Sequence, residues 1–190
     1  MKNNKKVRIG CASAFWGDTS TAAKQLVEKG DLDYLVFDFL AEMTMSILAR
    51  AKLKDSDRGF AGDFLTQIEP LLPLIKQKGI KILTNAGGIN PISCRAMLER
   101  TTKKEGLDLK IAIVTGDDLF PELPSIEELG ITELDTGNPF PKSCLSINAY
   151  LGAPGLVAAL EKGADIIITG RCVDSAMVLA PLMHEFNWNQ

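Results

Sequence analysis

Short apolar runs alternate along this chain with longer stretches of helical period. The runs are Val7–Ala12 (VRIGCA), Tyr34–Phe37 (YLVF), Ile80–Thr84 (IKILT), Leu109–Val114 (LKIAIV) and Asp165–Thr169 (DIIIT). Each is short and nearly continuous, which predicts a strand covered on both faces. Between them, Ser20–Lys29 predicts a helix stopped at Gly30, with Asp18 to Ser20 as candidate caps. Leu40–Lys52 predicts a second, with Met43, Ile47 and Leu48 in one register. Asp63–Lys78 carries Pro70 and Pro73 and predicts a kink or two shorter segments. Pro91–Lys104 starts with proline where a first helical residue belongs. Ile147–Lys162 predicts a helix disturbed at Pro154-Gly155, and Val173–Phe186 a last one, with Asp174 or Ser175 as cap. Residues 115–146, with four prolines and at most a short helix at Ser125–Leu129, read as a long loop or insertion of the kind that serves a site.

Strand and helix in alternation predict an α/β fold: a mainly parallel sheet with helices on both faces, doubly wound. A partial β/α barrel is the alternative, since five such units suit either. The 190 residues fit one α/β domain spanning 1–190. Composition narrows the class further. Apolar residues are 46% and charged residues 24%, which excludes a disordered chain. Lys plus Arg number 21 against 24 Asp plus Glu, a net charge of -3, which offers no electrostatic reason for nucleic acid or an anionic membrane as partner. Cys11, Cys94, Cys144 and Cys172 form no CxxC pair, and with one histidine, His184, no Cys/His zinc set can be assembled. They read as reduced thiols of a cytoplasmic protein. The basic Met1–Lys6 runs into a segment too short for a signal sequence, and no apolar run reaches the length of a membrane span.

In both architectures a ligand sits beyond the carboxyl ends of the strands. Those ends are polar and glycine-rich: Ser13–Ser20, Asp38–Glu42, Thr84–Pro91, Thr115–Asp118 and Thr169–Ser175. Trp16 either covers a helix entry or walls an apolar ligand pocket. Asp38 and Glu42, four apart, share a helix face, as a cap and a solvated acid or as paired carboxylates for acid–base work or a divalent metal. Asp117 and Asp118 read as solvated loop acids that can join that set. Asn85, Gly87, Gly88 and Asn90 make either a tight turn or a cradle for an anion or carbonyl, with a helix N-terminus behind it. Neither GxGxxG nor GxxxxGK[ST] occurs, so no nucleotide cofactor is named. Arg171 follows a buried strand, where it clamps a substrate carboxylate or phosphate or pairs internally with Asp174 or Asp38. His184 lies away from this rim and reads as structural.

Taken together, RIGCASAFWGD (Arg8–Asp18), DYLVFDFLAEMTMSILAR (Asp33–Arg50), TNAGGINP (Thr84–Pro91) and ADIIITGRCVDSA (Ala164–Ala176) resemble the acyclic terpene utilisation protein A family. The resemblance extends to HEFNW (His184–Trp188). It implies the N-terminal α/β domain of a longer protein, and a part in degrading acyclic terpenes through coenzyme A thioesters. It assigns no catalytic residue. Two expectations follow. In one, the domain acts on a branched acyl-CoA or a related carboxylated small molecule. Asn85, Gly87 and Gly88 then cradle an oxyanion or phosphate, Arg171 pairs with a carboxylate, Asp38 or Glu42 moves a proton, and Trp16 lines the acyl pocket, with Asn90 and Asp174 beside the substrate. In the other, the domain is a non-catalytic assembly module for a partner such as an acyl-CoA carboxylase, or for a second copy of itself, with contacts near Phe140 and Trp188.

Overall fold

Each apolar run becomes a strand. The computed structural model describes residues 5–188, so the Met1–Asn4 part of the basic start lies outside the described residues. The strands are β1 (Ile9–Ser13), β2 (Tyr34–Phe37), β3 (Lys81–Thr84), β4 (Ile111–Val114) and β5 (Ile166–Thr169). They form one parallel sheet in the order β1-β2-β3-β5-β4. Leu35, Ile82, Ile166 and Ile111 lie side by side in register, so an aliphatic row crosses the sheet. β1 and β4 are its two edges, which makes the sheet open and sets the barrel alternative aside.

The helices are α1 (Ala22–Lys29), α2 (Glu42–Lys54), α3 (Asp63–Ile68), α4 (Leu72–Lys78), α5 (Pro91–Lys104), α6 (Leu123–Glu128), α7 (Ala153–Glu161) and α8 (Ala176–Phe186). Strand alternation divides the core in two. Leu35, Phe37, Ile82, Ile166 and Ile168 pack under Val27, Leu48, Phe64, Leu72 and Leu98 of the first five helices. Tyr34, Val36, Leu83 and Ile167 pack under Leu156, Leu160, Met177 and Ala180 of α7 and α8. Connectivity explains the division. The crossovers from β1 through β4 advance in one direction, so right-handed connections put their helices on one face; the step back from β4 to β5 puts α7 on the other. Neighbouring β3 and β5 therefore send their chains to opposite faces, into α5 and α8. That divergence opens a crevice beyond their carboxyl ends, where ligands bind in open α/β sheets.

The structure corrects several sequence expectations. The helix expected over Ile147–Lys162 begins only at Ala153, because Pro154 suits a first helical turn and not an interior. Residues 147–152 instead form an extended strap, bridged at Asn148 to Asp118 and at Leu151 to Cys172. Pro70 and Pro73 each begin a new helical piece, so the 63–78 stretch is α3, a 3-10 turn at Glu69–Leu71, and α4. Asp18 caps no helix and instead accepts from Ala14 N at 2.9 Å, while Ser175 occupies the N-cap position of α8 without a side-chain cap bond. Cys94 and Cys172 are buried and Cys11 is exposed; all four thiols are free. No helix among the described residues is long and apolar enough to cross a membrane.

Candidate functional site

The ends of β2 and β3 meet through Asn85. This fully buried amide accepts from Phe39 N at 2.7 Å and donates to Asp38 Oδ1 at 2.7 Å. A backbone N–H only donates, so the Phe39 contact fixes which way the amide points. Asp38 is half-buried, and burial pushes its carboxyl upward; the Asn85 bond works against this, while Asp174's charge adds to it.

Arg171 lies beside this acid with only 5% of its surface exposed. Its Nη1 donates to Asp174 Oδ1 at 2.9 Å and to Cys172 O at 3.0 Å. Its Nη2 stands 3.6 Å from Glu42 Oε1, and the Tyr150 ring covers the guanidinium at 4.1 Å. Burial opposes the charge, but Asp174 and Tyr150 outweigh it and hold Arg171 protonated. The buried Nε has no partner among the described residues. Tyr150 also donates its hydroxyl to Glu42, which lowers that carboxyl. The strap delivers Tyr150: Leu151 N donates to Arg171 O at 3.1 Å and Val173 N to Leu151 O at 2.9 Å.

Asp117 is a correction to its reading as a solvated loop acid. Only 3% exposed, it accepts from Arg171 N at 2.8 Å and from Asn148 Nδ2 at 3.0 Å, and burial pushes its carboxyl upward. It therefore binds the end of β4 to both the β5 turn and the strap. Asp118 is exposed and its Oδ1 accepts from Phe120 N at 3.0 Å. Asp38 and Glu42 do not share a helix face, because α2 begins only at Glu42 and Asp38 lies before it. Among the described residues no group of three or more His, Cys, Asp or Glu side chains is placed to hold a metal ion.

The glycine loop is filled by protein. A Cβ on Gly87 would meet the Thr169 carbonyl oxygen and stand 2.8 Å from Pro91 Cβ; one on Gly88, whose φ is +55°, would stand 2.5 Å from Leu48 and 2.6 Å from Gly59 O. Packing against β5 and α2 therefore accounts for both glycines in place of a ligand cradle. Asn90 is committed likewise. It caps α5 by accepting from Ser93 N at 3.3 Å, and donates to Ser56 O at 2.9 Å and Arg58 O at 2.8 Å. Asn90→Ala is expected to cost about 2 kcal/mol, a lost cap plus two stranded carbonyls, read as a lower urea midpoint at unchanged slope. Trp16 walls a separate cavity of about 590 Å³ with Leu48, Phe60 and Met97, which none of Asp38, Asn85 and Arg171 lines. His184 is in the last turn of α8; Phe140 is half-buried, and the exposed Trp188 stacks on Phe186 at 5.8 Å.

Two hollows lie between the β3 and β4 loops, and none of Asp38, Glu42, Asn85, Tyr150 and Arg171 lines either. A hollow of about 370 Å³ is lined by Lys52, Gly88–Ile92 and Thr115–Asp118. Next to it, and sharing Lys52, Ile89 and Asp118, lies one of about 320 Å³ walled by Leu53, Phe120 and Leu145. One end is polar and the other apolar, and Asp117 lines the polar end while holding the backbone of Arg171. Sequence reasoning missed Lys52, Phe120, Leu145 and Tyr150, because each reaches the rim from a helix end, insertion or strap and not from a strand.

A family model described as "Acyclic terpene utilisation family protein AtuA" matches residues 7–190. No curated protein and no solved structure matches the chain.

Proposed function

The chain belongs to the acyclic terpene utilisation family AtuA, and from that premise we propose that its strand-end crevice binds a carboxylated or thioester-linked acyclic terpenoid and moves a proton on it. Membership supports a role in acyclic terpene utilisation. The observation that carries the finer reading is the cluster itself: a half-buried carboxyl, Asp38, held by Asn85 next to a buried Arg171 whose Nε is unpartnered. An acid raised by burial and a preorganised cation supply proton transfer and stabilisation of developing oxyanion charge. Leu53, Ile89, Phe120 and Leu145 offer the surface for a branched chain. Glu42 and Tyr150 cover Arg171 until the ligand's own oxygens compete for it. Free thiols such as Cys94 and Cys172 suit the cytoplasm, where we place the protein.

Deuterium wash-in tests the proton step without knowledge of the final product. Citronellyl-CoA, free citronellate and free CoA are incubated with protein in D2O and followed by NMR. The acyl compound is expected to exchange the proton alpha to its carbonyl, and Asp38→Asn to retain binding but lose exchange. The base must be ionised, and burial raises Asp38, so the rate is expected to climb with pH through a range above that of an ordinary aspartate. Binding by the wild type with no exchange at any pH would refute the assignment of Asp38.

A further inference from the structure

We propose that a second copy of this chain docks its 127–139 turn onto the outer face of α2. Two surfaces elsewhere in the molecule, unused by the crevice, complement each other. The first is the insertion between β4 and the strap. Every residue from Glu127 to Pro139 is exposed, yet the segment is built and not slack. Glu133 N donates to Asn138 O at 2.8 Å, Gly137 N donates to Glu133 O at 2.9 Å, and Thr132 bridges Pro139. The Glu133 carboxylate accepts from Asp135 N at 3.1 Å and Thr136 N at 2.5 Å. The turn thus satisfies its own backbone while holding apolar side chains in water: Leu134 is 96% exposed at its apex, Leu129 73% and Ile131 47%. Its formal charges are all negative, from Glu127, Glu128, Glu133 and Asp135.

The second surface is a hollow of about 590 Å³ along α2, lined by Ile47, Arg50, Ala51, Lys54, Asp55 and Arg58. Its apolar part is Ile47, 50% exposed, with Ala51. Its rim is basic. Arg58 is balanced by Asp55 at 3.4 Å, while Arg50 and Lys54 pair with no carboxylate among the described residues. An apolar knob carrying carboxylates and an apolar hollow carrying unpaired cations match in both respects, and both belong to one chain. In a two-fold dimer each copy gives its turn and receives the other's, so the contact forms twice and closes. Opposite charges steer the encounter, and the buried leucine holds it. This association is independent of the reaction at the crevice.

Analytical ultracentrifugation of the full chain across the micromolar range tests the proposal. The wild type is expected to sediment as a dimer that weakens as salt is raised. Reversal in the turn (Glu127→Lys with Glu128→Lys) and reversal on α2 (Arg50→Glu with Lys54→Glu) are each expected to weaken association by about tenfold or more. An equimolar mixture of the two reversed chains is expected to associate again, because the turn of each now matches the α2 of the other. Leu134→Ser, which removes the knob without touching charge, is expected to yield monomer. All these positions are exposed, so melts taken at concentrations low enough for the wild type to be monomeric are expected to be unchanged and to exclude misfolding as the cause. A wild type that is monomeric throughout, a dimer indifferent to both reversals and to Leu134→Ser, or a mixture that stays monomeric would overturn it.

Discussion

Arg171→Met is expected to weaken binding of the acyl ligand about a hundredfold while the protein stays folded. The two effects separate because of how Arg171 is held. Its guanidinium is taken out of water and partnered on one side by Asp174, with Glu42 at 3.6 Å and Nε left alone. Its partners Asp174 and Glu42 are largely exposed, so removing the cation strands no buried charge, and an apolar chain of similar length fills the space at little cost. Binding is another matter. If, as proposed, a ligand oxygen displaces Glu42 and Tyr150 from Arg171, loss of that charge-assisted pair in a dry site costs about 3 kcal/mol, or roughly a hundredfold in affinity. Thermal denaturation without ligand and calorimetric titration with citronellyl-CoA read the two quantities separately. Arg171→Lys is expected to fall between, since an ammonium keeps the charge but loses the planar fork. Unchanged affinity in Arg171→Met would remove Arg171 from the site; a collapse of the apo protein would show that Asp174, Glu42 and Tyr150 need the cation for folding.

The fold was legible from the chain because its signal is local. Runs such as YLVF and DIIIT have only one inexpensive solution, a strand covered on both faces, and the structure covers all four residues of β2 and of β5. Glycine and proline positions were less transparent. Pro154 looked like a flaw inside a helix and is part of its first turn; the distinction depends on the strap before it, which is held by partners at Asp118 and Cys172 far away in sequence. Gly87 and Gly88 looked like ligand-facing glycines because their permissiveness is visible in sequence, whereas the Thr169 carbonyl and Leu48 that require it are not. The site divides on the same principle. Asp38, Asn85 and Arg171 follow strands directly, so parallel topology alone brings them to one edge. Trp16 also follows a strand, but the α2–α5 layer gives it a separate cavity. Asp117 and Tyr150 acquire their meaning only from the tertiary closure of the strap and the β5 turn, which no periodicity encodes.

That closure makes a second large effect calculable. Gly170→Ala is expected to destabilise the protein by about 3 kcal/mol or more. The added methyl would fall on the Asp117 carboxylate, with the Cγ atom 2.6 Å away and both oxygens in contact. Asp117 has no free direction to yield: it is buried and accepts from Arg171 N and Asn148 Nδ2. Any displacement therefore adds the cost of leaving a buried carboxylate short of donors to the cost of overpacking, and each alone is worth about 1–3 kcal/mol. The damage is also expected to reach the crevice, since Asp117 lines it and fixes the turn that carries Arg171. The double variant Gly170→Ala with Asp117→Gly distinguishes this from a generic loss of glycine flexibility. If the collision is the cause, removing the carboxylate makes room, and the two changes together cost less than their sum by about 1 kcal/mol or more. Simple additivity in urea unfolding would mean that the β5 turn resists alanine for a reason other than Asp117, and that the carboxylate is not what seats Arg171 against the rim.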